Sequence, residues 1–137
     1  MTVDKRAFVL LVEDNPADAD LVEVALAEAK VECGLHVLDN GTKALEFIAR
    51  LEKSEAPCPD LIVLDLNIPQ LSGEEVLKRI RSNPICGAVK VLIVTSSNAE
   101  SDRLRAMELG ATDYFRKPSN LEQFLKLGPK VRQLLEY

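Results

Sequence analysis

The sequence predicts an α/β fold built on a parallel sheet with helices on both faces. Apolar strand-like runs alternate with helical patterns along the whole chain, which is the signature of β-α-β units. The run Leu61-Ile62-Val63-Leu64 has no polar alternation, as expected of a strand buried on both faces. At 137 residues, the chain is one domain's worth and is large enough for a single core.

Strands are expected near residues 7–13, 35–38, 60–65, 90–95 and 113–116, with helices near 16–30, 42–53, 73–82, 99–109 and 120–136. The first helix opens on Asn15 as cap, Pro16 at the first helical position and Asp18 in the first turn. Its apolar stripe is Val22, Ala25, Leu26 and Ala29, with Glu23 and Glu28 outside. Gly73 introduces the third helix, and Gly110 stops the fourth after Leu109. Gly128-Pro129 interrupts the fifth pattern, because a proline ring there removes the bond to the Leu125 carbonyl. A kink or two short helices is expected, with Leu121, Phe124 and Leu125 packed inside. Val131, Leu134 and Leu135 form a further apolar patch, read either as completion of the core or as a homodimer contact.

The net charge of −5 argues against a nucleic-acid or anionic-membrane surface, both of which need a basic footprint. No apolar run approaches the roughly 20 residues of a membrane span. The first residues show no signal-peptide pattern, and a cytoplasmic protein is expected. Cys33, Cys58 and Cys86 include no Cys-x-x-Cys pair and read as free reduced thiols. The one histidine, His36, reads as structural or surface, leaving none to build a hydrolase triad or a zinc site.

Four of the expected strands end in chemically useful groups. The first closes on Glu13-Asp14, the third on Asp65, the fourth on Thr95 followed by Ser96 and Ser97, and the fifth on Lys117-Pro118. Open α/β sheets hold their ligands at that carboxyl edge. Three carboxylates that close raise one another's pKa unless a cation neutralises them. A hard divalent ion resolves the conflict, and Mg²⁺ is the usual partner of a few carboxylates plus phosphate oxygens.

With these residues in place, the chain closely resembles the receiver domain of two-component response regulators, from about Phe8 to Leu135. The resemblance rests on Glu13-Asp14, on Asp65-Leu66-Asn67-Ile68-Pro69 with Gly73, on Thr95, and on Tyr114 and Lys117-Pro118. It implies a flavodoxin-like doubly wound five-stranded sheet of order 2-1-3-4-5 with five helices. It further implies that the whole chain, 1–137, is one receiver domain without an output domain. Function would then be that of a stand-alone phosphoacceptor rather than an enzyme, taking a phosphoryl group from a sensor histidine kinase and signalling through protein–protein contacts.

By the same resemblance, Asp65 is the phosphoacceptor. Glu13, Asp14, Asp65 and the backbone carbonyl of Asn67 hold Mg²⁺, and Lys117 and Thr95 contact phosphoryl oxygens. Thr95 and Tyr114 form the switch, and Lys117-Pro118 is a candidate cis bond. Asn67 and Ser97 occupy positions that tune self-dephosphorylation; neither is a carboxylate, which implies a slow to moderate rate. A narrower similarity, to the single-domain regulators of bacterial phytochrome kinases, rests on the long interval between Asp14 and Asp65, on Thr95-Ser96-Ser97 and on the stretch from Lys117 to Phe124. It implies a phytochrome-type kinase, an unidentified downstream protein and a homodimer as candidate partners.

Two other classes fit less well. Dehalogenase-type phosphatases need a second acid two residues after the nucleophile, where this chain has Asn67. A nucleotide-binding doubly wound domain would need a Gly-x-Gly-x-x-Gly or Walker lysine motif, and neither occurs.

Overall fold

The computed structural model of the protein describes residues 6–68 and 71–135. Pro69 therefore lies outside the described residues. Elements follow in the order β1 (Ala7–Val12), α1 (Pro16–Glu28), β2 (Cys33–Leu38), α2 (Gly41–Glu52), β3 (Leu61–Asp65), α3 (Gly73–Arg81), β4 (Lys90–Thr95), α4 (Glu100–Glu108), β5 (Asp113–Arg116), α5 (Leu121–Phe124) and α6 (Leu127–Leu134). All strand pairings are parallel, and the sheet order is β2-β1-β3-β4-β5, as the resemblance implies.

Strand periodicity divides the core in two. Leu10, Val12, Ile62, Leu64, Val91 and Ile93 face α2, α3 and α4 through Phe47, Ile48, Leu77, Ile80 and Ala106. Val9, Leu11, Leu61, Val63, Leu92 and Val94 face the other way, onto Val22, Ala25 and Leu26 of α1 and onto Phe124, Leu127 and Val131. Each central strand is thus apolar on both faces, which explains why Leu61-Ile62-Val63-Leu64 shows no alternation.

Caps fall where the residue types allow. The Asn15 side chain accepts from the backbone of Ala17 and Asp18 at the start of α1. Gly110 takes φ +102° after α4, the left-handed region that glycine enters without strain.

The fifth helical pattern divides into α5 and α6, but the break precedes Gly128-Pro129 rather than falling on it. Pro129 sits in the first turn of α6, where a missing N–H costs little. The Leu125 carbonyl accepts instead from Gly128 N at 3.1 Å. Gly128 serves packing: a Cβ there would come within 2.3 Å of the Ala25 carbonyl oxygen on α1. Val131 is fully buried, and Leu134 and Leu135 pack beside it, so this patch completes the core. The expectation that Leu121 packs inside is overturned: it is 53% exposed, because Phe124 takes the one inward face of so short a helix.

The expected free thiols are corrected as well. Cys58 and Cys86 form a disulfide, with Cα atoms 5.9 Å apart, and Cys33 alone stays free. Spacing rules look for cysteines close in sequence, whereas these lie 28 residues apart and meet through topology. The loops before β3 and before β4 end at the same edge of the sheet, opposite Asp65. Asn83 shapes the second loop by accepting from Ile85 N and Cys86 N at 2.8 and 2.9 Å. Arg81 braces that edge too, donating to the carbonyls of Gly87, Val89 and Gly110. His36 is exposed on β2 with its ring 6.1 Å from that of Phe47, a surface role as expected.

A bridge closing a loop of this length stabilises by about 3.5 kcal/mol in the chain-entropy treatment. Reduction by dithiothreitol, or Cys58→Ser, is expected to lower the urea midpoint with little change in divalent-ion affinity, because the bridge lies at the far edge from the acids. Urea titrations of the oxidised and reduced protein, each followed by circular dichroism, check this. An unchanged midpoint would contradict it.

Candidate functional site

The carboxyl edge of the sheet brings the predicted groups together. Glu13 follows β1 and is 2% exposed, with its backbone N–H donating to Leu38 at 3.0 Å. Its Oε2 accepts from Asn15 N at 3.2 Å, so one carboxylate oxygen shapes the loop while the other faces the site. Asp65 ends β3 and is 5% exposed, and its Oδ1 accepts from Asn67 N at 2.9 Å. Ligand oxygens of Glu13, Asp14 and Asp65 lie within 4.8 Å of one another. Gly73 lets α3 start directly beneath this strand end. A Cβ there would stand 2.5 Å from both the Asp65 carbonyl oxygen and the Leu66 Cα.

Lys117 resolves the like-charge conflict among the acids in this structure. Its backbone N donates to the Thr95 carbonyl at 2.7 Å, fixing the end of β5 against β4. Its Nζ donates to Glu13 Oε1 at 2.6 Å, Asp18 Oδ2 at 2.8 Å and Asp65 Oδ2 at 3.0 Å. Burial alone would favour the neutral amine, but the bonds to Asp18, Glu13 and Asp65 outweigh it and raise the Lys117 pKa. Glu13 responds in the opposite sense to an ordinary ion pair. Burial pushes it up to about 7, and nearby Asp65 adds to the rise that Lys117 only partly offsets. Lys117-Pro118 is trans, as are all described peptide bonds, which corrects the expectation of a cis bond. Trans is the lower-energy isomer, and Lys117 reaches all three acids from it.

Thr95 is fully buried, and its Oγ1 accepts from Asn67 Nδ2 and from Ser97 N, both at 3.2 Å. Ser97 in turn donates to Asp102 of α4 at 2.5 Å and accepts from Ala99 N at 3.2 Å. A chain of hydrogen bonds therefore runs from the loop after β3 through Thr95 to the first turn of α4. Tyr114 lies inward on β5, its hydroxyl buried and without a hydrogen-bond partner among the described residues. Burial raises its pKa, Asp102 adds to the rise, and the nearby Ser97 pulls the other way.

Sequence reasoning missed the part played by Asp18, seen only as a first-turn acid, and by Asp102. The signal for Asp18 was present. Asn15 and Pro16 start α1 immediately after the acid pair, so a residue in its first turn has to lie over the sheet edge.

The donor set suits a hard divalent ion: three acid oxygens, two of them on buried residues, with Lys117 supplying the positive charge. Together, fold and site define a receiver, and a family model for the response regulator receiver domain matches residues 9–127. The chain belongs to that family and acts as a phosphoacceptor in two-component signalling, and its acid cluster suits the divalent ion that receiver domains bind. It is 37% identical over 120 residues to response regulator Rcp1 of Synechocystis sp., covering 87% of this chain and 82% of that protein. The crystal structure of the phosphorylated cyanobacterial phytochrome response regulator RcpA superposes with a TM-score of 0.85 at 32% identity, covering 96% of this chain and 95% of that one. The Mn²⁺-bound form of Rcp1 gives 0.82 at 34% identity, over 93% and 92% of the two chains.

Because Glu13 titrates near 7 here and near 4.5 when unperturbed, the folded metal-free chain keeps a proton that the unfolded chain has released. Stability from this group is therefore full below about pH 4.5 and declines as pH rises to 7. A divalent ion needs the carboxylate form, so its binding runs the other way. Mn²⁺ affinity, followed by electron paramagnetic resonance, is expected to weaken by close to tenfold per unit as pH falls below about 7. Affinity constant down to pH 5.5 would contradict this.

Proposed function

We propose that Asp65 is the residue phosphorylated, with Mg²⁺ as the physiological ion and a sensor histidine kinase of the phytochrome type as donor. The observation that carries this reading is the convergence of Lys117 Nζ and the Glu13–Asp14–Asp65 cluster on one buried carboxylate. The similarity to phytochrome response regulators supports the kinase class. A cytoplasmic location agrees with such a donor, and no helix among the described residues is long and apolar enough to cross a membrane.

Asp65 Oδ2 attacks the phosphorus of a phosphohistidine. The P–O bond forms as the P–N bond breaks, and the imidazole leaves and takes a proton from solvent. Glu13, Asp14, Asp65 and the Asn67 carbonyl are the groups that would hold Mg²⁺, which neutralises charge on the phosphoryl oxygens when bound. Lys117 follows the new oxygens as a mobile point charge, and the Thr95 hydroxyl donates to one of them. Phosphorylation adds charge at Asp65 that attracts Thr95. Ser97 N and Asn67 Nδ2 share the Thr95 hydroxyl, so its movement reaches α4 through the bond from Ser97 to Asp102.

Signalling then passes through the face of α4 and β5 to a downstream protein, and a second copy of the chain is a further candidate partner. Asn67 offers no general base toward the phosphoryl group, and the Ser97 hydroxyl is engaged by Asp102, which supports slow self-dephosphorylation.

Incubation with acetyl phosphate is expected to add a single phosphoryl group by intact-protein mass only when Mg²⁺ is present, and none in Asp65→Asn. An adduct that persists in Asp65→Asn would refute the assignment. The adduct is expected to outlast minutes at neutral pH. A lifetime of seconds would overturn the roles given to Asn67 and Ser97.

A further inference from the structure

Lys117 has three N–H donors and three carboxylate partners, one for each. Two of the three have other duties once the site is loaded. Glu13 and Asp65 belong to the acid cluster, and Asp65 also gains the phosphoryl group in the reading above. Asp18 is outside that cluster. Its carboxylate belongs to the first turn of α1, whose position is fixed by the Asn15 cap, including a bond from Asp18 N to Asn15 Oδ1 at 3.3 Å. Asp18 also lines the open cleft of about 550 Å³ formed with Ser96, Arg116, Lys117 and Asn120.

We infer that Asp18 is a positioning residue for phosphoryl transfer: it anchors the Lys117 ammonium from the α1 side while the other two N–H groups exchange partners. The inference rests on the assignment of Asp65 as acceptor and of Lys117 as the cation that contacts the phosphoryl group. A lysine stem carries four rotatable carbons, and without a fixed partner its charge spreads over many rotamers. Asp18 does not compete with the phosphoryl group, because the ammonium offers a separate proton to each. Its removal therefore slows transfer. Asp18 touches neither the acceptor nor the ion, so its contribution passes entirely through Lys117.

The test is the rate of phosphorylation by acetyl phosphate at saturating Mg²⁺, measured by intact mass as a function of donor concentration. Asp18→Ala is expected to lower the rate constant at saturation by roughly tenfold, as loss of alignment at a reacting centre does. Asp18→Asn keeps the helix turn and one acceptor oxygen, and it is expected to fall between the two. In a Lys117→Ala background, Asp18→Ala is expected to produce no further loss, the result that separates positioning from a general structural effect. Wild-type rates in both Asp18 variants would overturn the inference. So would an equal loss in the presence and absence of Lys117. If the wild-type protein takes up no phosphoryl group that Asp65→Asn abolishes, the acceptor assignment itself fails; if it does, a null result with Asp18 counts against this inference alone.

Discussion

The whole carboxyl edge of the sheet is organised by the need to hold several buried negative charges close together. Acids excluded from water repel one another and lose hydration, and a site with no counter-charge would protonate or open. Lys117 limits both outcomes by bonding three carboxylates with one ammonium. The compromise is incomplete, and Glu13 shows it by holding its proton toward neutral pH. That residual strain is what a divalent ion relieves, so the metal-free arrangement is already disposed toward binding one. Lys117 acts as a resident cation that gives up part of its role when a stronger one arrives.

Everything else in the fold places the ends of β1, β3, β4 and β5 within reach of that ammonium. The two apolar faces lock the strand register, and a slip of one residue would turn Asp65 from the edge into a core layer. Gly73 and Gly128 act at two points where a side chain could not fit, the first beneath the end of β3 and the second between α6 and α1. The opposite edge of the sheet is held by different means, the Cys58–Cys86 bridge and the Arg81 guanidinium bonded to three carbonyls. Rigid fastening at one edge leaves hydrogen-bonded, rearrangeable contacts for the other.

The strand positions and the acid cluster could be read from the sequence because each strand ends its apolar run at a polar residue, a local pattern with a direct structural meaning. Lys117 could be placed by the same rule at the end of β5. The bond from Asp18 to Lys117 could not, since it depends on how far α1 leans over the sheet, which periodicity does not encode. The Cys58–Cys86 bridge was hidden for a related reason: the loops meet through a crossover connection rather than through spacing. Leu121 was misjudged because a helical pattern was extended over residues that fold as a single turn, and one turn has room for only one buried face. A break in the fifth helical pattern was legible, but it falls before Gly128-Pro129 rather than on it, and the sequence did not show that the glycine is there to admit α1.

Glu13 and Lys117, whose side chains meet at 2.6 Å, stand 104 residues apart in the chain. Synthesis therefore delivers the acids long before the cation that reconciles them. A nascent chain carrying β1 to β4 holds Glu13, Asp14 and Asp65 with no ammonium among them, and their mutual repulsion opposes closure of that edge. The last strand acts as a keystone, so that competence to receive a signal arrives together with completion of the fold.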